Sequence, residues 1–265
     1  LTGEPAGLRP VSHHYERFAH EQAAWLASEA GQAAETFWCD QFCTVPPPLD
    51  LPLDFARPPV FSYEGRSEAV RWDAELTDGL RRLGESLDVP LHTLIFAAYQ
   101  ALLARHSGQD EVVAGMLKAG RTLKYARTAG YFVNPLALRT TVSHDPPFAE
   151  FVSQVRERLR AAEAHEAYPF PLLVEKLELP RDTARPPLIQ ALFSWQKTTR
   201  LLDRRQAASF ILSEGSSRST WAGLPMEPVP FAERATHFEL TLLVAETEDG
   251  LVATAEYNTA LFEAA

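Results

Sequence analysis

Apolar positions change their spacing several times along the chain, and each change marks an element. Between residues 13 and 43, Phe18, Ala24, Trp25, Phe37, Trp38 and Phe42 recur at steps of three and four. That spacing is consistent with one or two amphipathic helical segments broken near Gly31. The stretch 45–60 (VPPPLDLPLDFARPPV) then carries six prolines in sixteen residues. Proline is excluded from helix and sheet interiors, so the stretch is read as an extended crossing segment and the plainest joint in the chain. Beyond it, strands and helices alternate. Residues 68–72 read as strand, and 78–87 as helix with Thr77 as its cap. Residues 90–106 form a second helix, apolar nearly all round through Leu91, Leu94, Ile95, Phe96, Leu102 and Leu103, and therefore buried. Strands follow at 111–116 and 133–142, an amphipathic helix at 148–165, a shorter helix at 171–177 and a strand at 188–197. Residues 200–234 are rich in Gly, Ser and Pro and read as a loop excursion. Apolar runs at 238–245 and 251–257 flank Glu248-Asp249-Gly250, a hairpin signal. The fold class is α/β, a sheet covered by helices.

Composition narrows the function classes. The chain has 265 residues, 46% hydrophobic and 23% charged, which is ordinary for a globular protein with a sizeable core. Its longest apolar stretch, Leu94–Ala98, is far short of the roughly 20 residues a bilayer needs. The opening LTGEPAGLRP lacks the basic start and apolar run of a secretory signal, so a cytoplasmic location is expected. A net charge of −10 argues against nucleic acid or an anionic membrane as partner, with basic residues scattered apart from Arg200–Arg205. Cys39 and Cys43 lie four apart on the first helical stretch. Reduced thiols are expected, because zinc would need two further ligands at suitable spacing; no metal site is expected.

Seven stretches, in order, resemble the motifs of nonribosomal peptide synthetase condensation domains. Tyr15–Gln22 (YERFAHEQ) is similar to the family's YxDFAxWQ helix, and Ser107–Gly115 (SGQDEVVAG) with Ala119-Gly120-Arg121 to its SGQDDIVVG and AGR. Gly130–Leu136 (GYFVNPL) resembles GxFVNxL, and His165–Phe170 (HEAYPF) resembles HQDYPF. Arg181–Leu188 (RDTARPPL) and Tyr257–Phe262 (YNTALF) resemble RDxSRxPL and YNTDLF. The resemblance implies a chloramphenicol acetyltransferase-like lobe, an α+β two-layer sandwich with a mixed sheet covered by helices, truncated at both ends. It divides the chain into 1–45, the helical end of an N-terminal lobe; 46–60, the crossing segment; and 61–265, the C-terminal, acceptor-side lobe.

The implied reaction joins an upstream acyl or peptidyl thioester to the amine of a downstream aminoacyl thioester. Both ride on 4'-phosphopantetheine arms of donor and acceptor carrier proteins, so the domain itself binds no cofactor. The implied partners are those carriers, the missing N-terminal lobe and neighbouring synthase domains. The family's catalytic motif, HHxxxDG, belongs to that missing lobe. His13-His14 is not it, because positions 18 and 19 hold Phe18 and Ala19 where Asp and Gly are required. The pair reads as solvated at a helix start, and the chain alone is expected to be inactive. An amine attacking a thioester needs little covalent help, so positioning and hydrogen bonding to the developing oxyanion carry most of the effect.

Residue by residue, the resemblance places Asn134 near the reaction tunnel, ordering the site, while the residues alone also fit a turn before Pro135. Ser194 and Trp195 alternate faces on a strand bordering that tunnel. Tyr257 and Asn258 correspond to a latch between lobes. His165 sits at a helix end, Tyr168-Pro169-Phe170 reads as a loop packed on the core, and Arg181 and Asp182 as an ion pair with Arg185 in reserve. Ester formation, epimerisation and non-catalytic carrier recruitment remain open, and residues upstream of Leu1 would discriminate them.

Overall fold

Two helices open the computed structural model, which describes residues 10–142, 146–196, 219–221, 224–226, 235–247 and 250–264. They are α1 (Tyr15–Leu26) and α2 (Glu29–Gln41). The break expected near Gly31 lies at Ala27-Ser28, where Ser28 caps α2 by accepting from the Gly31 amide. Gly31 is needed one turn later, because a Cβ there would lie 2.3 Å from the Trp25 carbonyl.

The remaining elements follow the alternation read from the sequence. They are β1 (Gly65–Trp72), α3 (Ala74–Ser86), α4 (Leu91–Ser107), β2 (Glu111–Lys118), β3 (Asn134–Thr141), α5 (Phe148–Ala164) and α6 (Phe170–Lys176). Then come β4 (Ala191–Gln196), β5 (Ser219–Trp221), β6 (Leu224–Met226), β7 (Leu240–Glu246) and β8 (Leu251–Asn258). Helix α3 starts earlier than the pattern suggested. Asp73 is its cap, accepting from the Leu76 amide, while Thr77 is buried inside the first turns with its hydroxyl on the Trp72 carbonyl. Helix α4 is not apolar on every side that it buries: Leu102 is 52% exposed, whereas Thr93 and Gln100 are buried. The described parts of 200–234 form the short antiparallel pair β5–β6; the rest of that stretch, including Arg200–Arg205, lies outside the described residues, as do Glu248 and Asp249 of the hairpin turn.

The main sheet is six-stranded and mixed, in the order β1-β8-β7-β4-β2-β3. Strands β2, β4 and β7 run parallel at its centre, and the other pairs are antiparallel. Phe193 on β4 meets Phe96 and Tyr99 of α4, and Gln100 donates to Thr140 on β3, so α4 covers one face. Side chains from α2, α4, α5 and the sheet share one core that includes Trp38, Phe42, Phe96, Val155 and Phe193.

The crossing segment has no helix or strand, as its prolines require. Its backbone is satisfied from elsewhere in the chain, largely by side chains, while the Asp54 and Phe55 amides donate to the Leu261 carbonyl. The Leu49 amide donates to Gln190 Oε1, the Asp50 amide to Gln109 Oε1, and Gln109 Nε2 to the Pro48 carbonyl. Arg57 adds a bidentate ion pair to Glu239, 2.7 and 3.0 Å, whose carboxylate is wholly buried at the start of β7. No single helix among the described residues is long and apolar enough to cross a membrane.

Candidate functional site

Four of the quoted stretches converge on one cavity of about 540 Å³, which has three walls. The first wall is α1. Its Tyr15, Phe18, Gln22 and Trp25 are spaced by three and four, so they share a face. That face meets the loop 119–133 between β2 and β3. Gly130 makes the approach feasible, since a Cβ there would sit 2.2 Å from the Tyr15 ring. Tyr15 then donates its hydroxyl to the Tyr131 carbonyl at 2.7 Å, and Phe18 lies 4.7 Å from the Phe132 ring.

The loop is built around Arg121. Its guanidinium donates to the carbonyls of Tyr125, Thr128 and Gly130 and lies 4.2 Å from the centre of the Phe132 ring. Gly120 turns the chain at φ +59, and a Cβ there would collide with the Phe132 carbonyl at 1.9 Å. Lys124 and Tyr125 reach back to α1, where both bond the Glu21 carboxylate, at 2.5 and 2.7 Å. Hydrogen bonds from Lys124, Tyr125 and Arg17 hold the Glu21 pKa down at about 2.

The third wall is the turn between α5 and α6. Asn134, first residue of β3, spends its whole amide on it. Nδ2 donates to the carbonyls of Glu166 (3.0 Å) and Tyr168 (2.8 Å), and Oδ1 accepts from the Phe170 amide (2.9 Å). From the far side, Trp38 donates to the His165 carbonyl, Phe37 stacks on the His165 ring at 4.2 Å, and Tyr168 donates to Glu35. Burial and the Glu35 carboxylate push the Tyr168 hydroxyl well above the ordinary phenol range. Asn134 is thus a clamp on a distant turn rather than a cap for the Pro135 bond, and Tyr168 is buried as a core-packing residue.

The other residues singled out from the sequence lie elsewhere. Ser194 is buried on β4 and accepts from Gln196, while Trp195 packs half-buried with His92 nearby on α4. Neither lines this cavity. Asn258 donates to the Ser62 carbonyl and accepts from the Ala260 amide, holding the turn after β8, and the Tyr257 hydroxyl is buried without a partner among the described residues. Asp182 accepts from the Ala184 amide and pairs with Arg185 at 3.6 Å, so its partner is Arg185 and not Arg181. These residues border a second, proline-walled groove of about 820 Å³ formed with Pro46, Pro47 and Pro48. His14 is exposed at the start of α1, as a solvated histidine should be, but His13 is partly covered and its ring faces Tyr125 at 5.7 Å. Cys39 and Cys43 are free thiols. Glu21, Gln22 and Trp25 were not given a role by the sequence; Glu21 and Gln22 stood inside the Tyr15–Gln22 stretch and Trp25 in the apolar periodicity, without a sign that they line a site.

Comparison with known proteins gives one consistent picture. A family model described as Condensation domain matches residues 1–265. Surfactin synthase subunit 1 of Bacillus subtilis (strain 168) is 35% identical over 97% of this chain, and tyrocidine synthase 3 of Brevibacillus parabrevis is also 35% identical over 97%. The chain spans only 7% and 4% of those relatives. Among solved structures, the X-domain from teicoplanin biosynthesis superposes with a TM-score of 0.84 at 24% identity, over 98% of this chain and 57% of that one. The first condensation domain of the calcium-dependent antibiotic synthetase gives 0.75 at 20%, over 97% and 52%.

Proposed function

The chain belongs to the condensation-domain family, and from that premise we propose that it is the acceptor-side part of a domain forming amide bonds in a nonribosomal peptide or hybrid polyketide–peptide synthase. Residues 61–265 form the C-terminal lobe in this reading, 46–60 cross between lobes, and 1–45 end the N-terminal lobe. The observation that carries it is the convergence of four family-like stretches on one cavity, with Asn134 fixing the wall formed by the turn between α5 and α6.

The amine of a carrier-bound aminoacyl thioester attacks the carbonyl of the upstream thioester. The C–N bond forms, the C–S bond breaks, and the amine's proton leaves with the thiol of the donor pantetheine arm. A histidine of an upstream HHxxxDG motif serves the amine, and this chain contributes positioning, which in well-oriented systems supplies roughly 7–11 kcal/mol of the barrier. Ser194 and Trp195, which lie off that cavity, shape another part of the tunnel, and the segment after β8, whose turn Asn258 holds from its buried position beside Tyr257, belongs to the contact between lobes. Donor and acceptor carrier proteins are the partners, and the setting is cytoplasmic. A second reading, a non-catalytic recruitment lobe, is favoured by one observation: the X-domain, alike in fold, also exists as a complex with OxyB from teicoplanin biosynthesis.

The test joins this chain to the lobe encoded upstream and supplies loaded donor and acceptor carriers. Amide product is expected from the joined domain and none from the chain alone. Asn134→Ala should lower kcat on the order of 10- to 100-fold, since a wall displaced by about 1 Å costs that much. Product from the chain alone would sink the division of labour. No product from a joined domain with an intact HHxxxDG would favour recruitment.

A further inference from the structure

Among the polar side chains lining the cavity beside α1, two that are partly covered are left unused by the fold. Gln22 and Trp25 line it, and neither the Gln22 amide nor the Trp25 indole N–H has a partner among the described residues. The charged groups at its margin are already matched: Glu21 with Lys124 and Arg17, and Glu166 with Lys118 at 3.6 Å. Much of the remaining wall is aromatic or aliphatic, led by Tyr15, Phe18, Phe132 and Val133; Asn134 also lines it with its amide already spent, as do Thr122 and Tyr131, both exposed. Its 540 Å³ falls within the roughly 300–1,000 Å³ of small-molecule sites.

From these features we infer that the cavity binds a neutral, N-acylated amide of an apolar amino acid. Two donors and one acceptor beside an aromatic wall match an amide group flanked by an aliphatic side chain. The ligand carbonyl accepts from the indole N–H or the Gln22 amide, its N–H donates to Gln22 Oε1, and its side chain lies on the rings. An ammonium or carboxylate would shed water here and find every countercharge engaged. The inference rests on the condensation reading only for the source of the ligand, an aminoacyl or peptidyl group; binding itself needs no reaction.

The experiment is a titration of the ¹⁵N-labelled chain with N-acetyl-leucinamide. The observed signal is the Trp25 indole resonance, assigned by its loss in Trp25→Phe. A saturable shift with a Kd on the order of 1 mM is expected, as suits a small ligand. Gln22→Ala should weaken binding roughly five- to tenfold, the worth of one neutral hydrogen bond. N-acetyl-aspartate and N-acetyl-lysinamide should bind about tenfold or more weakly, for want of free countercharges. No shift up to the solubility limit, or equal shifts from the charged analogues, overturns the site. Binding retained in a domain that fails the condensation assay supports the site against that reading. Condensation without binding removes the site and leaves the reading.

Discussion

At Glu21, one carboxylate on α1 accepts from Lys124 and Tyr125 across the chain and from Arg17 one turn earlier, and those bonds favour its charged form. Its pKa drops from 4.5 to about 2 as a result. Because the folded value is depressed, the stabilisation is fully present above the unfolded pKa and is lost as pH falls through the folded one. Between about pH 4.5 and pH 2 the unfolded chain takes up a proton that the folded chain refuses. Glu21→Gln should therefore be less stable than the parent at pH 7, and the gap should close as pH is lowered toward 2. Urea midpoints for both proteins across that range check this; a gap independent of pH would mean the carboxylate's charge contributes nothing. The partly exposed setting keeps the effect modest and salt-sensitive. Gly130 acts at the same scale without any charge: it is the absence of a side chain that lets the Tyr15 ring sit down on the loop. That reason was out of reach in the sequence, where Gly130 and Tyr15 are 115 positions apart and each stood in its own motif.

The crossing segment illustrates how an element without internal hydrogen bonds is held. Six prolines deny it a ladder, so its position depends mostly on side chains, and the bidentate pair of Arg57 with the buried Glu239 is the most enclosed of these. Removing one partner strands the other's charge in the interior. Arg57→Met should destabilise the chain by about 3–5 kcal/mol, whereas Arg57→Met with Glu239→Met should recover much of that loss. Denaturant melts of both variants decide the matter, and equal losses in the single and double variants would show that packing, not charge, is at stake. This pair was invisible in the sequence because its members are 182 positions apart and nothing local marks them. What was legible followed from local rules. Among the described residues the pattern found every α-helix and every strand of the main sheet, because a buried stripe has to repeat with the element's own period, and it missed the single 3₁₀ turn Leu123–Tyr125. Ends were read less well. Thr77 and Asp73 are both plausible caps, and only the bond to the Leu76 amide separates them. The site was half legible: Asn134 stood out, but its acceptors, Glu166 and Tyr168, lie more than thirty positions away.

Taken whole, the molecule spans 52–57% of single-domain relatives of the same fold, and its described residues include apolar side chains that nothing covers. Leu123 is 96% exposed and Tyr131 74% exposed, both on the 119–133 loop, with Tyr15 and Val133 partly exposed beside them. The loop is no floppy tip: Arg121 ties three of its carbonyls, and Glu21 anchors Lys124 and Tyr125. A leucine held out on a preorganised loop loses little entropy on contact, which is the usual condition for an anchor residue at an interface. In the isolated chain such a surface has only other copies to meet. Sedimentation should therefore show mass rising with concentration. Leu123→Asp should shift the chain toward monomer with its circular dichroism unchanged, since the side chain contacts almost nothing within the fold. A single monomeric boundary over a wide concentration range would mean that these side chains are tolerated by water as they stand. In that case the surface carries no sign of a missing counterpart, and the case for a second lobe would have to rest on upstream sequence alone.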